Sequence, residues 1–309
     1  MTFSPEPLAA LLEALDNEGY AFTTVTPETH GRVLKRSGDT PARDLRDVFG
    51  WSMRFEKGLL EGDLFTLLEE GGGLAREGDG FRSLMRVSSL SGRLFLHSAF
   101  PTEAEDSVFF GPDTYRFARF IEAAAQDLEA PRHLVDLGAG AGPGGISAAG
   151  LLAPAQITLA DINRKALCLA EANALAAGME VQAVVGGLGE VEGEVDLIIA
   201  NPPFIADAKG RDYRDGGDML GAGLSLEWAR QALGRLTEGG TMLLYTGSPI
   251  IAGEDRLLAA LAELAEEGGS SLRYEELDPD IFGEELEQPA YRDAGAERIA
   301  AVGAVLQKD

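Results

Sequence analysis

Cysteine occurs once in this chain of 309 residues, at position 168, which excludes an internal disulfide and fits a reducing compartment. Histidine is nearly as scarce. His30, His97 and His133 stand too far apart for metal-ligand spacing and read as surface or packing residues. No apolar run approaches the ~20 residues of a bilayer span. The opening residues, Met1-Thr2-Phe3-Ser4-Pro5-Glu6, lack the basic start and apolar centre of a secretory signal. A cytoplasmic protein is expected. The patterns G-x-x-x-x-G-K-[ST], H-E-x-x-H and G-x-S-x-G are also missing. Basic residues are outnumbered, 26 Lys/Arg against 51 Asp/Glu, for a formal charge of −25. Such a charge argues against a polyanionic partner. Residues 32–93 escape the bias, with eleven Lys/Arg against ten Asp/Glu.

The length suits two domains and buries a substantial core. Residues 130–309 alternate strand and helix patterns, so an α/β domain with a mainly parallel, seven-stranded sheet is expected. Its strands are predicted at 133–137, 156–161, 180–185, 195–200, 240–246, 271–277 and 298–306. Helices are predicted from Asn163 to Ala177, stopped by Gly178, and from Glu254 to Glu267. Cys168 falls mid-helix at apolar spacing and reads as core. The first hundred residues differ. Pro5 to Asn17 forms an amphipathic helix with Leu8, Leu11, Leu12 and Leu15 on one face. Helical patterns follow near 41–49 and 63–70. Two or three short antiparallel strands are expected around Leu74–Arg76, 81–89 and 93–98, turning at Gly78-Asp79-Gly80. This α+β segment resembles a winged-helix module. Domains of 1–104 and 105–309 are expected.

Two strand ends carry chemistry. After the apolar run Val195–Ala200 comes Asn201-Pro202-Pro203-Phe204. The prolines stiffen the turn and leave carbonyl oxygens free to accept. Asn201 and the Pro202 carbonyl can receive the two hydrogens of a planar –NH2 group, and Phe204 offers a flat face for stacking. The strand at 133–137 runs into Asp136-Leu137-Gly138-Ala139-Gly140-Ala141-Gly142-Pro143-Gly144-Gly145. Glycines between strand and helix let a ligand approach backbone N–H groups closely. Gly140 to Gly145 satisfies the dinucleotide pattern G-x-G-x-x-G. Asp136-x-Gly138-x-Gly140-x-Gly142 instead resembles the first motif of class I S-adenosylmethionine-dependent methyltransferases. Asp161 suits the ribose of either cofactor. The amine cradle favours methyl transfer, since a nicotinamide enzyme has no use for it.

The resemblance covers roughly 108–309. Phe109-Phe110-Gly111-Pro112-Asp113-Thr114 looks like the segment that closes over the cofactor, and Tyr213-Arg214-Asp215-Gly216-Gly217 is similar to a stretch of release-factor glutamine methyltransferases. The resemblance is to the small-domain N-methyltransferases that include enzymes acting on base amines in RNA. It implies S-adenosylmethionine as cofactor, held by Asp136, Gly138, Gly140, Gly142, Asp161, Ile162, Gly187, Leu188, Asn201, Phe110 and Thr114, and no metal. Catalysis falls to Asn201, Pro202, Pro203 and Phe204. An acid often contacts the cofactor adenine after the third strand. Here Val185-Gly186-Gly187-Leu188-Gly189 stands instead, leaving that contact to backbone groups or Leu188. The substrate implied is an exocyclic amine of adenine or guanine in RNA, presented by Arg32, Lys35, Arg36, Arg43, Arg46, Arg76, Arg82 and Arg86. A glutamine amide in a protein is the runner-up, which the overall acidity favours. A non-enzymatic binding protein and a nicotinamide oxidoreductase are the alternatives outside the class. Asp278-Pro279-Asp280 with Glu284, Glu285 and Glu287 reads as a solvated acidic loop rather than a cation site.

Overall fold

A computed structural model describes residues 3–38, 40–102, 104–206 and 214–309. The amino-terminal part holds α1 (Pro5–Asn17), α2 (Pro27–Ser37), α3 (Leu45–Phe49) and α4 (Leu64–Glu70). Two hairpins follow, β1 (Leu74–Glu77) with β2 (Gly80–Ser83), and β3 (Met85–Leu90) with β4 (Arg93–Ser98). The run expected at 81–89 is broken at Leu84. There the Ser83 hydroxyl donates to the Met85 carbonyl at 2.6 Å and the chain leaves one hairpin for the other.

The remainder runs α5 (Pro112–Ala124), β5 (His133–Leu137), α6 (Pro143–Leu152), β6 (Gln156–Asp161), α7 (Arg164–Ala176), β7 (Gln182–Val185) and β8 (Val195–Ala200). Then come α8 (Gly223–Arg235), β9 (Leu236–Ile251), β10 (Glu254–Asp255), α9 (Arg256–Glu267), β11 (Ser270–Asp278), α10 (Pro289–Ala294) and β12 (Ala296–Lys308). The sheet order is β11-β12-β9-β8-β5-β6-β7, with β10 paired on β9. From β7 to β9 the strands are parallel, and β12 is antiparallel to both its neighbours. All seven expected strands are present. The order reverses between β5 and β8, so a crevice opens beyond their carboxyl ends. Asn163 caps α7 by accepting from the N–H groups of Lys165 and Ala166.

One apolar core joins the two parts. Leu8, Leu11, Leu12 and Leu15 of α1 lie in the same buried cluster as Ala166, Leu169 and Ala172 of α7. Asn173, on α7 and 1% exposed, clamps the junction. Its Oδ1 accepts from Leu96 N–H at 2.8 Å, and its Nδ2 donates to the carbonyls of Leu96 and Ala141 at 3.1 and 2.8 Å. A buried amide with its bonds made fixes register as well as contributing stability. It ties hairpin β3–β4 to the glycine turn after β5. Among the described residues no helix is long and apolar enough to cross a membrane.

Candidate active site

The crevice is a cleft of about 980 Å³. Its floor is the turn after β5. Gly138 has φ +71°, and a Cβ there would stand 2.5 Å from the Trp228 indole of α8. Both facts require glycine. Beside Gly140, φ +55°, there is open space for a ligand. Two carboxylates hold this turn from below. Asp136 accepts from Gly145 N–H at 2.6 Å, and Asp161 accepts from Gly140 N–H and Asn163 N–H, both at 2.8 Å. Burial pushes Asp136 up to about 7 against the pull of the Gly145 bond, with the Asp161 charge adding to the rise. Burial also raises Asp161, opposed by its two backbone donors.

Asp161→Ala removes a charged acceptor from the Gly140 amide of the turn and from the Asn163 amide that opens α7. Ligand affinity at the cleft is expected to fall about 10–100-fold, the weight of one to two charge-assisted hydrogen bonds. Calorimetric titration with S-adenosylhomocysteine measures it, and an unchanged affinity removes Asp161 from the site.

The expected site residues divide. Asp136, Gly138, Gly140, Asp161, Ile162, Gly187, Thr114, Asn201, Pro202, Pro203 and Phe204 all line the cleft. Ile162 is 64% exposed there, an apolar side chain left open at a strand end. Gly142, φ +80°, caps α6 beneath the turn. Two lie elsewhere. Phe110 is buried with its ring stacked on His97, centroids 4.9 Å apart, and its neighbour Phe109 lines the cleft instead. Leu188 is buried in the apolar core with Val191 and Leu233. Tyr213 lies outside the described residues. Arg214, Asp113, Trp228, Gln231 and Phe282 also face the cleft. Sequence gave no signal for the last three, which arrive from α8 and from the β11–β12 connection.

Asn201 follows β8, and its Oδ1 is buried without a hydrogen-bond partner among the described residues. A buried acceptor left unpaired costs about 1–3 kcal/mol, and a ligand –NH2 would relieve it. The motif turn is braced from one side. Ile205 N–H donates to the Arg214 carbonyl at 3.1 Å, and Gly216 N–H to the Ile205 carbonyl at 2.9 Å. Arg214 pairs with Glu285, and Asp278 with Arg116, so two of the acids in the 278–287 stretch are engaged in ion pairs. Among the described residues no group of three or more His, Cys, Asp or Glu is arranged to hold a metal ion.

Phe204 is a core residue more than a stacking platform. It is 7% exposed, packs on Gly247 of β9 and meets Phe282 edge to face at 5.7 Å. Phe204→Ala is expected to cost about 3–5 kcal/mol of stability, as aromatic truncations in cores do. Denaturant unfolding checks this, and a loss under 1 kcal/mol contradicts the packing role.

Arg86, expected on a substrate-presenting surface, is 5% exposed. It is buried because the polar face of β3 turns inward onto His97, Thr24 and His30. Arg43, Arg54 and Arg82 are tied to Asp47, Asp79 and Glu77. Arg46 and Arg76 lie over the rings of Phe22 and Phe81.

A parallel sheet of this order, with a glycine turn and acid after its first strand, an acid after its second and Asn-Pro-Pro after its fourth, is the class I methyltransferase architecture. Residues 119–250 match the family described as methyltransferase small domain. A release factor glutamine methyltransferase of Deinococcus radiodurans is 29% identical over 169 residues, 50% of this chain and 60% of the relative. The ribosomal RNA small subunit methyltransferase C of Pseudomonas entomophila is 37% identical over 73 residues, 23% of this chain and 22% of that protein. The fold is similar to Trm5b from Pyrococcus abyssi, with a TM-score of 0.50 at 18% identity, over 76% of this chain and 62% of that one. The chain thus spans less than two thirds of the length of these relatives.

Proposed function

We propose that the protein is an S-adenosylmethionine-dependent N-methyltransferase acting on a planar amino group, most directly an exocyclic amine of adenine or guanine in RNA. The buried Oδ1 of Asn201, unpaired among the described residues, carries this reading, because Asn201 lines the same cleft as the glycine turn and this atom asks for a hydrogen-bond donor. The residues fit the cofactor. Open backbone at Gly140, the Asp161 carboxylate and the exposed Ile162 side chain supply a close approach, a polar anchor and an apolar face. With Leu188 in the core, the backbone of Gly186 and Gly187 is left for the adenine edge.

The bound cofactor supplies an electrophilic methyl on sulfur, a good leaving group. What the chain supplies is placement. Asn201 Oδ1 and the Pro202 carbonyl accept from the substrate –NH2 and turn its lone pair towards the methyl. The same acceptors favour the positive charge that grows on nitrogen during attack. The proline pair keeps them in place. No strong base is needed, since the product nitrogen sheds its proton readily.

A glutamine amide is the second reading. It is supported by the overall acidity and by the relative named for that substrate. Label transfer from methyl-labelled S-adenosylmethionine into extract of cells lacking the gene tests both, with Asn201→Ala protein as the blank. Nuclease-sensitive label supports the base. Protease-sensitive label moves the protein to the glutamine branch, and no label above the blank overturns the proposal.

A further inference from the structure

In a chain with about half as many cations as anions, most described cations are occupied by carboxylates, rings or carbonyls. Helix α2 is different. Arg32, Lys35 and Arg36 are exposed at i, i+3 and i+4, hence on one face, and no ion pair to any of them is found among the described residues. Like charges at this spacing weaken a helix by a few tenths of a kcal/mol per pair. The helix dipole compensates for Lys35 and Arg36 in the last turn, but not for Arg32 a turn earlier. Glu28, four residues before Arg32, is not paired with it either. The local chemistry alone leaves this face unexplained.

Beneath the helix lies a fourth unmatched cation. His30 is the one fully buried residue of α2. Its Nε2–H donates to the Trp51 carbonyl at 2.9 Å, and its Nδ1 receives the Arg86 guanidinium at 3.4 Å. Among the described residues Arg86 has no carboxylate partner. Burial brings it down only to about 10, so it stays charged at neutral pH. Its field passes through a low-dielectric interior towards the helix above it.

The helix is also anchored to the cleft. His30 stacks on Phe100 at 4.1 Å, where the segment that runs on to Phe109 begins. Thr24, two residues before the α2 cap, donates its N–H to the Tyr115 hydroxyl at 2.9 Å, next to the cleft-lining Thr114.

We propose that the Arg32/Lys35/Arg36 face of α2 docks the phosphate backbone of single-stranded RNA and delivers an adjacent base to the cleft. This rests on the base-amine reading above. A polyanion there is the missing counter-charge for all four cations.

The test titrates the full chain, saturated with S-adenosylhomocysteine, into a fluorescein-labelled 20-nucleotide single-stranded RNA of mixed sequence at several salt concentrations. The Arg32→Gln/Lys35→Gln/Arg36→Gln variant is compared with an Arg230→Gln/Arg273→Gln/Arg292→Gln control of equal net charge. For the α2 variant the slope of log K against log salt should become shallower by about 2, at about 0.7 per phosphate contact. RNA affinity in low salt should drop at least about tenfold. Melting temperature and S-adenosylhomocysteine affinity should match the parent. Equal effects of variant and control, or no effect of either, overturn the docking face. If label transfer still reaches RNA in that case, the base-amine reading survives without it. Wild-type protein that binds no RNA and labels protein defeats both.

Discussion

Asn201→Ala is expected to lower methyl transfer by about 10²–10³-fold while leaving S-adenosylhomocysteine affinity within about threefold. The loss is large because Asn201 contributes half of the amine cradle, and the other half, the Pro202 carbonyl, cannot orient a lone pair alone. With one acceptor the –NH2 group rotates about a single hydrogen bond, and the aligned approach at ~3–3.5 Å becomes a minor conformation. Cofactor affinity is spared because the turn at Gly138–Gly142 is held by Asp136 and Asp161, neither of which touches Asn201 through a hydrogen bond. Removing the buried Oδ1 also removes an unpaired acceptor. The variant is therefore expected to be as stable as the parent, or slightly more so. Asn201→Asp gives a sharper comparison. It keeps an acceptor in place but buries a charge, so it should lose stability where alanine does not. Single-turnover label transfer with the cofactor saturating is the measurement. Activity within tenfold of wild type would show that the cradle is not where the methyl is received.

Much of this was legible in the chain itself. Most strands after residue 130 hold an apolar run closed by turn residues, the edge strand Ser270–Asp278 being a polar exception, and Asn163 and Gly178 mark the limits of α7 within a residue or two. The two functional turns were readable because each breaks a local rule at a strand end, one with glycines and one with prolines. Other features depend on residues distant in sequence. The packing of Phe204 is set by Gly247 and Phe282, which come from later strands and connections. The burial of Arg86 contradicts a period-2 reading of Met85-Arg86-Val87-Ser88, which places Arg86 and Ser88 on the solvent side. Instead that side meets Thr24, His30 and His97, because α2 and the segment after β4 cover it. Helix α2 itself gave no apolar stripe to read. Its sequence has a glycine at 31 and only His30 fully buried, so tertiary anchoring outweighs propensity.

Mild acid should destabilise the protein through this same cluster, and the size of the loss depends on a carboxylate elsewhere. His30 is held neutral by burial and then by the neighbouring Arg86, which bring it down to about 4; burial and then Arg86 also hold His97 well below its ordinary value. Geometry agrees. A proton on His30 Nδ1 would face the Arg86 guanidinium, and His97 Nδ1 has no well-formed hydrogen bond among the described residues. In the unfolded chain both rings take up protons near pH 6.5. The stability they contribute is therefore complete above pH 6.5 and lost as pH falls, at about 1.4 kcal/mol per unit for His30 down to about pH 4 and in the same direction for His97. Asp136 acts in the opposite direction. Raised to about 7, it is protonated in the fold while still ionised in the unfolded chain, so it adds about 1.4 kcal/mol per unit as pH falls below 7. Asp113 and Asp161, also raised by burial, work with it nearer the acid end. From pH 6.5 to 5 the His30 loss and the Asp136 gain, each about 2 kcal/mol, nearly cancel, so that His97 sets a net fall. Asp136→Asn should steepen the fall by about 2 kcal/mol, whereas His97→Gln should nearly flatten the curve. Urea unfolding at half-unit pH intervals resolves the three slopes. A wild-type stability that rises from pH 6.5 to 5 would mean that the carboxylates beneath the glycine turn, not the histidines under α2, govern the acid response.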